Sequence, residues 1–223
     1  MSQFQGFSDK SLKFFRELDC NNNREWFADH KNEYMTHIQQ PMKQLIAELG
    51  PVMQELDPQV IIDPNRIMSR IYRDTRFSSD KSPYRPRIWF AFKRNVERWS
   101  ETPVYFMEIE QAQYTFGMGM YCAPAVMMRR FRDRIDKDPD EFLSIIEPIR
   151  RSRSIKLESE KYKRPLPHEH GPAIDPWYQS KNIAAMGFRE PDKTLFSAKL
   201  ADMLIERYIM LKPLYDYLWK MVS

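Results

Sequence analysis

The sequence predicts an α+β fold with a helical N-terminal third, a central and mostly antiparallel sheet, and C-terminal helices. Three observations carry this. Apolar residues recur at helical spacing over the first third and again over 197–221, the middle holds short runs of β-branched and aromatic residues, and strands do not alternate strictly with helices as a doubly wound sheet requires.

Taken in order, the first helix starts at Ser8 as N-cap, with Phe7 and Leu12 placed to form a hydrophobic staple and Phe14, Phe15 and Leu18 on its buried side. Asn21, Asn22 and Asn23 interrupt it. Asn22 with Glu25 reads as a capping-box-like start for a second helix, along which Trp26, Phe27, His30, Tyr34 and Ile38 recur. Pro41 suits the first turn of a third helix whose apolar side is Leu45, Ile46, Leu49, Met53 and Leu56. A short strand is expected over 60–62. Ile67, Met68, Ile71 and Tyr72 then form a helix-like stripe ending near Phe77, because Ser78 to Pro83 is turn-like.

Strands are expected over 88–92, 104–109 and 114–121, the last two forming a hairpin that turns near Gln111 and Ala112. Helices follow over 124–135 and from Asp138-Pro139-Asp140-Glu141 to about 151, where an N-cap acid, a first-position proline and a third-position Glu make the clearest helix start in the chain. A strand over 155–162, a proline-rich loop over 164–176 and a final helix over 197–221, kinked or broken at Pro213, complete the prediction.

Composition bounds the rest. With 223 residues, 42% hydrophobic and 13% aromatic, the chain can bury roughly 70% of its unfolded surface, and a single domain over 1–223 is expected. Six glycines, where average usage gives about 16, leave little material for glycine-rich nucleotide loops. Two cysteines form no disulfide framework and suit a reducing compartment; no signal-like start is present, and the longest apolar run, 88–92, falls far short of the roughly 20 residues that cross a bilayer. A cytoplasmic location without membrane attachment is expected, and composition leaves the oligomeric state open.

The net charge is only +4, but its distribution is uneven. Residues 66–98 hold ten basic side chains against three acids, a surplus of seven, and eight of the ten are arginine. Guanidinium forms paired, planar hydrogen bonds to phosphate or carboxylate, where lysine offers a point charge. Within this window lies the run Arg70-x-x-Arg73-Asp74-x-Arg76-Phe77-x-x-Asp80-Lys81-x-x-Tyr84. Together with Asn21-Asn22-x-Arg24-Glu25-Trp26-Phe27, Gly117-x-Gly119-x-Tyr121 and the overall length, it resembles an uncharacterised bacterial family, domain of unknown function 2461. The resemblance covers nearly the whole chain and carries no activity with it.

Two readings of the arginine segment stand side by side. Asp74 and Asp80 can satisfy several guanidiniums in a structural salt-bridge network. Alternatively, cations in excess of local acids form a pocket for an anionic small molecule bearing phosphate or carboxylate, with Arg70, Arg73, Arg76 and Arg85 as clamps. Asn21, Asn23 and Trp26 are candidates to line the same pocket. If the site turns over its ligand, Asp74 or Asp80 serves as base and Lys81 or Tyr84 as proton donor. A third reading is a nucleic-acid or protein-binding module with the Arg/Asp segment as a structural salt-bridge network, the nucleic-acid surface using the same basic window with Trp89, Phe90, Phe92 and Trp99 and a second basic cluster, Arg129, Arg130, Arg132 and Arg134. No cofactor and no metal site are expected: His168-Glu169-His170 lies in a proline-rich loop, and Gly117-Met118-Gly119 suits a strand bend better than a phosphate cradle. Cys122 is expected to be a small core residue.

Overall fold

In a computed structural model the described residues are 3–76 and 79–222. The α+β class holds, with one antiparallel sheet of five strands in the order β1-β2-β3-β5-β4. These are β1 (Arg87–Phe92), β2 (Val104–Glu110), β3 (Tyr114–Gly119), β4 (Lys156–Glu158) and β5 (Ala184–Arg189). The chain divides into two compact units. One comprises the chain up to Phe92, Phe106–Thr115 and Arg189–Ile205; the other comprises Lys93–Tyr105, Phe116–Phe188 and the chain from Glu206 on.

The first unit opens with helix α1 (Asp9–Cys20), capped by Ser8, whose backbone N–H donates to Ser11 Oγ at 3.2 Å. Helices α2 (Arg24–Asp29), α3 (Lys31–Tyr34) and α4 (Gln40–Leu56) follow, with a π-turn over Met35–Gln39 joining the last two into one continuous helical run. Pro41 does sit in the first turn of α4. It has no N–H to offer the His37 carbonyl, and the fully buried Ser11 hydroxyl donates to that carbonyl at 2.7 Å. Phe14, Phe15, Leu18, Ile38, Leu45, Ile46, Leu49, Ile88 and Phe90 are buried in this unit.

Three expectations fail here. The N-cap of α2 is Asn23, which accepts from the Trp26 N–H at 2.9 Å, and not Asn22. No strand forms over 60–62. The helix expected through Ile67 to Tyr72 is a single turn, α5 (Pro64–Ile67), after which the chain is extended: Met68 bridges Phe90 and Tyr72 bridges Tyr84, both antiparallel. Ile67 and Ile71 sit four apart, a spacing that fits a helix and equally a strand. Ser69, buried between them while Arg70 and Tyr72 are exposed, reveals the period of two. The expected helix end at Phe77, together with Ser78, lies outside the described residues.

In the second unit, α6 (Ala125–Lys137) and α7 (Pro139–Arg151) form as expected, and Asp138 caps α7 by accepting from the Glu141 N–H at 2.9 Å. Phe142 packs edge-on against Phe131 and Trp177 at 5.3 and 5.7 Å. The strand expected over 155–162 is shortened to β4, with a separate bridge from Lys161 to Ser180. Helix α8 (Asp175–Tyr178) and strand β5 carry no clear sequence signal, since Ala184, Ala185 and Gly187 are poor strand formers. The glycines of β3 mark a close approach and not a bend: a Cβ on Gly117 would lie 2.3 Å from the Ala185 carbonyl oxygen, and one on Gly119 would lie 2.7 Å from that of Ile183. Cys122 is exposed, against expectation. The last helix, α9 (Lys199–Trp219), runs through Pro213 without interruption. Among the described residues, no helix is long and apolar enough to cross a membrane.

Candidate functional site

The described residues of 70–84 lie in the first unit, on two extended stretches that meet at Tyr72 and Tyr84 and on the loop between them. Arg73 N–H donates to the Pro83 carbonyl and Arg85 N–H to the Ile71 carbonyl, both at 2.8 Å. Those bonds flank the Tyr72–Tyr84 pair, which makes it the closely spaced, non-hydrogen-bonded type in which side chains touch; the rings are 5.4 Å apart. Asn22 closes the arrangement from the α1–α2 turn. Its carboxamide accepts from the Tyr84 N–H and donates to the Tyr84 carbonyl, each at 3.0 Å, replacing a strand neighbour. Tyr84 is buried and stacks on Phe27 at 4.1 Å.

Between the two stretches, the loop is held by its acids. Asp74 accepts the Arg76 side chain at two oxygens, 3.0 and 2.7 Å away, and also the Arg76 backbone N–H at 3.2 Å. Asp80 accepts the Ser82 hydroxyl at 2.7 Å and the Ser82 N–H at 2.9 Å, and pairs with Arg73. Lys81 donates to the Thr75 carbonyl at 2.9 Å. The Arg76 side chain and then its backbone N–H hold Asp74 down to about 2, and the Ser82 hydrogen bonds hold Asp80 low as well. Burial pushes the Tyr84 phenol up.

Two adjoining clefts open on this framework. The larger, of about 670 Å³, is lined by Asn22, Asn23, Arg24, Tyr72, Arg73, Thr75, Lys81, Pro83 and Tyr84. The smaller, of about 390 Å³, is lined by Ser69, Arg70, Tyr72, Arg73, Asp74, Arg85 and Trp89. Of the residues singled out by sequence, Asn23, Arg70, Arg73, Asp74, Lys81, Tyr84 and Arg85 line one cleft or the other. Asn21, Trp26, Arg76 and Asp80 line neither: Asn21 donates to the Glu17 carbonyl at the end of α1, and Trp26 stacks on His30 at 4.0 Å. Of the other lining residues, Asn22 and Arg24 enter the sequence reading only through a helix cap and the family resemblance, Trp89 only through the nucleic-acid reading, and Ser69, Tyr72, Thr75 and Pro83 are not assigned to the pocket. Tyr72 had a signal, as a large aromatic between two arginines, but it was assigned to the apolar side of a helix that does not form.

The other clusters have partners of their own. His168 Nε2 meets Asp175 at 2.9 Å, while its Nδ1 accepts the His170 N–H at 3.1 Å. His170 Nε2 meets Asp136 at 2.7 Å. Arg134 donates to both oxygens of Glu141 at 3.0 Å, Arg130 to the Met221 carbonyl at 3.1 Å, and Arg132 to the Ser180 carbonyl at 3.4 Å. Among the described residues, no group of three or more His, Cys, Asp or Glu is placed to hold a metal ion.

No curated protein matches the chain. The family described as conserved hypothetical protein (DUF2461) matches residues 10–217, a span that includes both extended stretches, the loop between them and the Asn22 clasp. The chain therefore belongs to this DUF2461 family of conserved hypothetical proteins.

Proposed function

We propose that the chain binds a small anion, phosphate-bearing in preference to carboxylate-bearing, at the clefts around Arg73. The observation that carries this reading is the smaller cleft. Arg70, Arg73 and Arg85 line it together, and its one acidic lining residue, Asp74, is already engaged twice by Arg76. Three guanidiniums outnumber the two oxygens of a carboxylate, whereas a phosphate has a terminal oxygen for each, with Arg73 also paired to Asp80. Arg24 and Lys81 add positive charge in the larger cleft.

Two features favour binding over turnover. A carboxyl held near 2, as Asp74 is, makes a weak base at neutral pH, and a phenol pushed upward, as Tyr84 is, makes a weak acid. Asp74 and Asp80 thus serve to shape the loop, and the salt-bridge network and the anion site are parts of one device. The nucleic-acid alternative draws no comparable support, because Arg130, Arg132 and Arg134 are engaged within their own unit. Isothermal titration with orthophosphate and acetate tests the proposal. Orthophosphate is expected to bind more tightly than acetate, and Arg70→Gln with Arg85→Gln is expected to weaken it at least tenfold while circular dichroism stays unchanged. An absence of heat for both anions would refute it.

A further inference from the structure

Resting on that reading, we infer that the anion is joined to a planar aromatic ring, which stacks on Tyr72, so that the ligand class is a mononucleotide-like aromatic phosphate. Tyr72 and Arg73 are the two residues common to both clefts. The Tyr72 side chain is large and apolar, yet it is 59% exposed. It is nevertheless fixed at its base. Its backbone is paired to Tyr84, its ring leans on Tyr84 at 5.4 Å, and Phe27 meets it edge-on at 6.2 Å. Phe27 and Tyr84 are themselves buried and stacked, and Asn22 clamps the Tyr84 backbone.

An aromatic ring held by its neighbours yet 59% exposed, with cations lining both clefts that it borders, is a stacking platform whose geometry is set before a ligand arrives. The charges complete the match. Arg24 and Lys81 line the larger of the two clefts that Tyr72 borders, Arg70 and Arg85 the smaller, and Arg73 borders both. A ring seated on Tyr72 therefore has cations lining either cleft that its phosphate could enter. Inorganic phosphate or a sugar phosphate would use the cations and leave the exposed ring uncovered. Stacking on an aromatic side chain strengthens binding by about 5- to 150-fold per base.

The test compares adenosine 5′-monophosphate, ribose 5-phosphate and orthophosphate by isothermal titration on the wild-type chain and on Tyr72→Leu and Tyr72→Phe. The nucleotide is expected to bind the wild type at least fivefold more tightly than ribose 5-phosphate. Tyr72→Leu should abolish that preference, so that nucleotide and ribose 5-phosphate bind the variant equally, and Tyr72→Phe should keep it. Equal affinities of the wild type for nucleotide and ribose 5-phosphate would overturn the inference and leave the anion site standing. A preference that survives Tyr72→Leu would overturn it too, by placing ring recognition elsewhere. Failure of all three probes to bind would overturn both the inference and the anion reading. Should Tyr72→Leu melt below the assay temperature, Tyr72→Ser, which also removes the ring, replaces it under the same criteria.

Discussion

Asn22 shows how one side chain can stand in for a strand. Its carboxamide exchanges two hydrogen bonds with the Tyr84 backbone across 62 positions of sequence, and through them positions the aromatic pair beneath the clefts. Asn22→Ala leaves a part-buried N–H and C=O without their partner, and a loss of about 1–3 kcal/mol is expected in urea denaturation. The neighbouring asparagines do separate work, Asn21 closing α1 and Asn23 opening α2. That division was half legible: three consecutive asparagines exceed what one cap requires, but which of them leaves the turn depends on where Tyr84 arrives. Asp74 permits a second check. Its carboxyl is held at about 2 against an ordinary 3.8, first by the Arg76 side chain. A lowered folded-state value means the pairing contributes fully above about pH 4 and is lost as pH falls towards 2. Carboxyl carbon NMR should show Asp74 titrating near 2, and Arg76→Gln should return it towards the ordinary value.

Elements that carry their own start signals were readable without the fold. Ser8 and Asp138 each mark a helix start that forms where it was expected, because caps act through local backbone geometry, whereas Pro41 falls in the first turn of α4 but inside a helical run that is already under way. The join between α3 and α4 was not readable, because it depends on a distant hydroxyl. Ser11 donates to the His37 carbonyl across 26 positions, at the point where Pro41 has no N–H to give. Ser11→Ala should therefore destabilise the chain by about 1–2 kcal/mol in chemical denaturation, although the substitution is small and helix-compatible. Residues 67–72 were misjudged for a related reason. Apolar positions four apart satisfy both periods, and the choice falls to pairing with β1, which Ser69 and Trp89 make through two hydrogen bonds of 2.8 and 3.0 Å.

On the scale of the whole molecule, a net charge of +4 conceals a surplus of seven over 66–98, and the fold brings four of that window's ten cations, Arg70, Arg73, Lys81 and Arg85, to the two clefts. Phosphate at 100 times its dissociation constant should add about 2.7 kcal/mol to the stability of the whole chain. For a chain of this size that corresponds to a rise in Tm of about 5–11 °C over chloride of equal ionic strength. At the same phosphate concentration, Arg70→Gln with Arg85→Gln should cut the rise by about half or more, as differential scanning calorimetry will show. The sequence by itself determined the α+β class, most helix starts, the first three strands and the stretch in which charge accumulates, because periodicity, capping and composition are local properties. Only the tertiary structure decided that residues 68–72 are extended and not helical, that Asn22 and Tyr72 line the clefts, and that Arg76 and Asp80 line neither. Each of those outcomes depends on pairing between distant stretches of chain, where side-chain spacing alone fits more than one backbone.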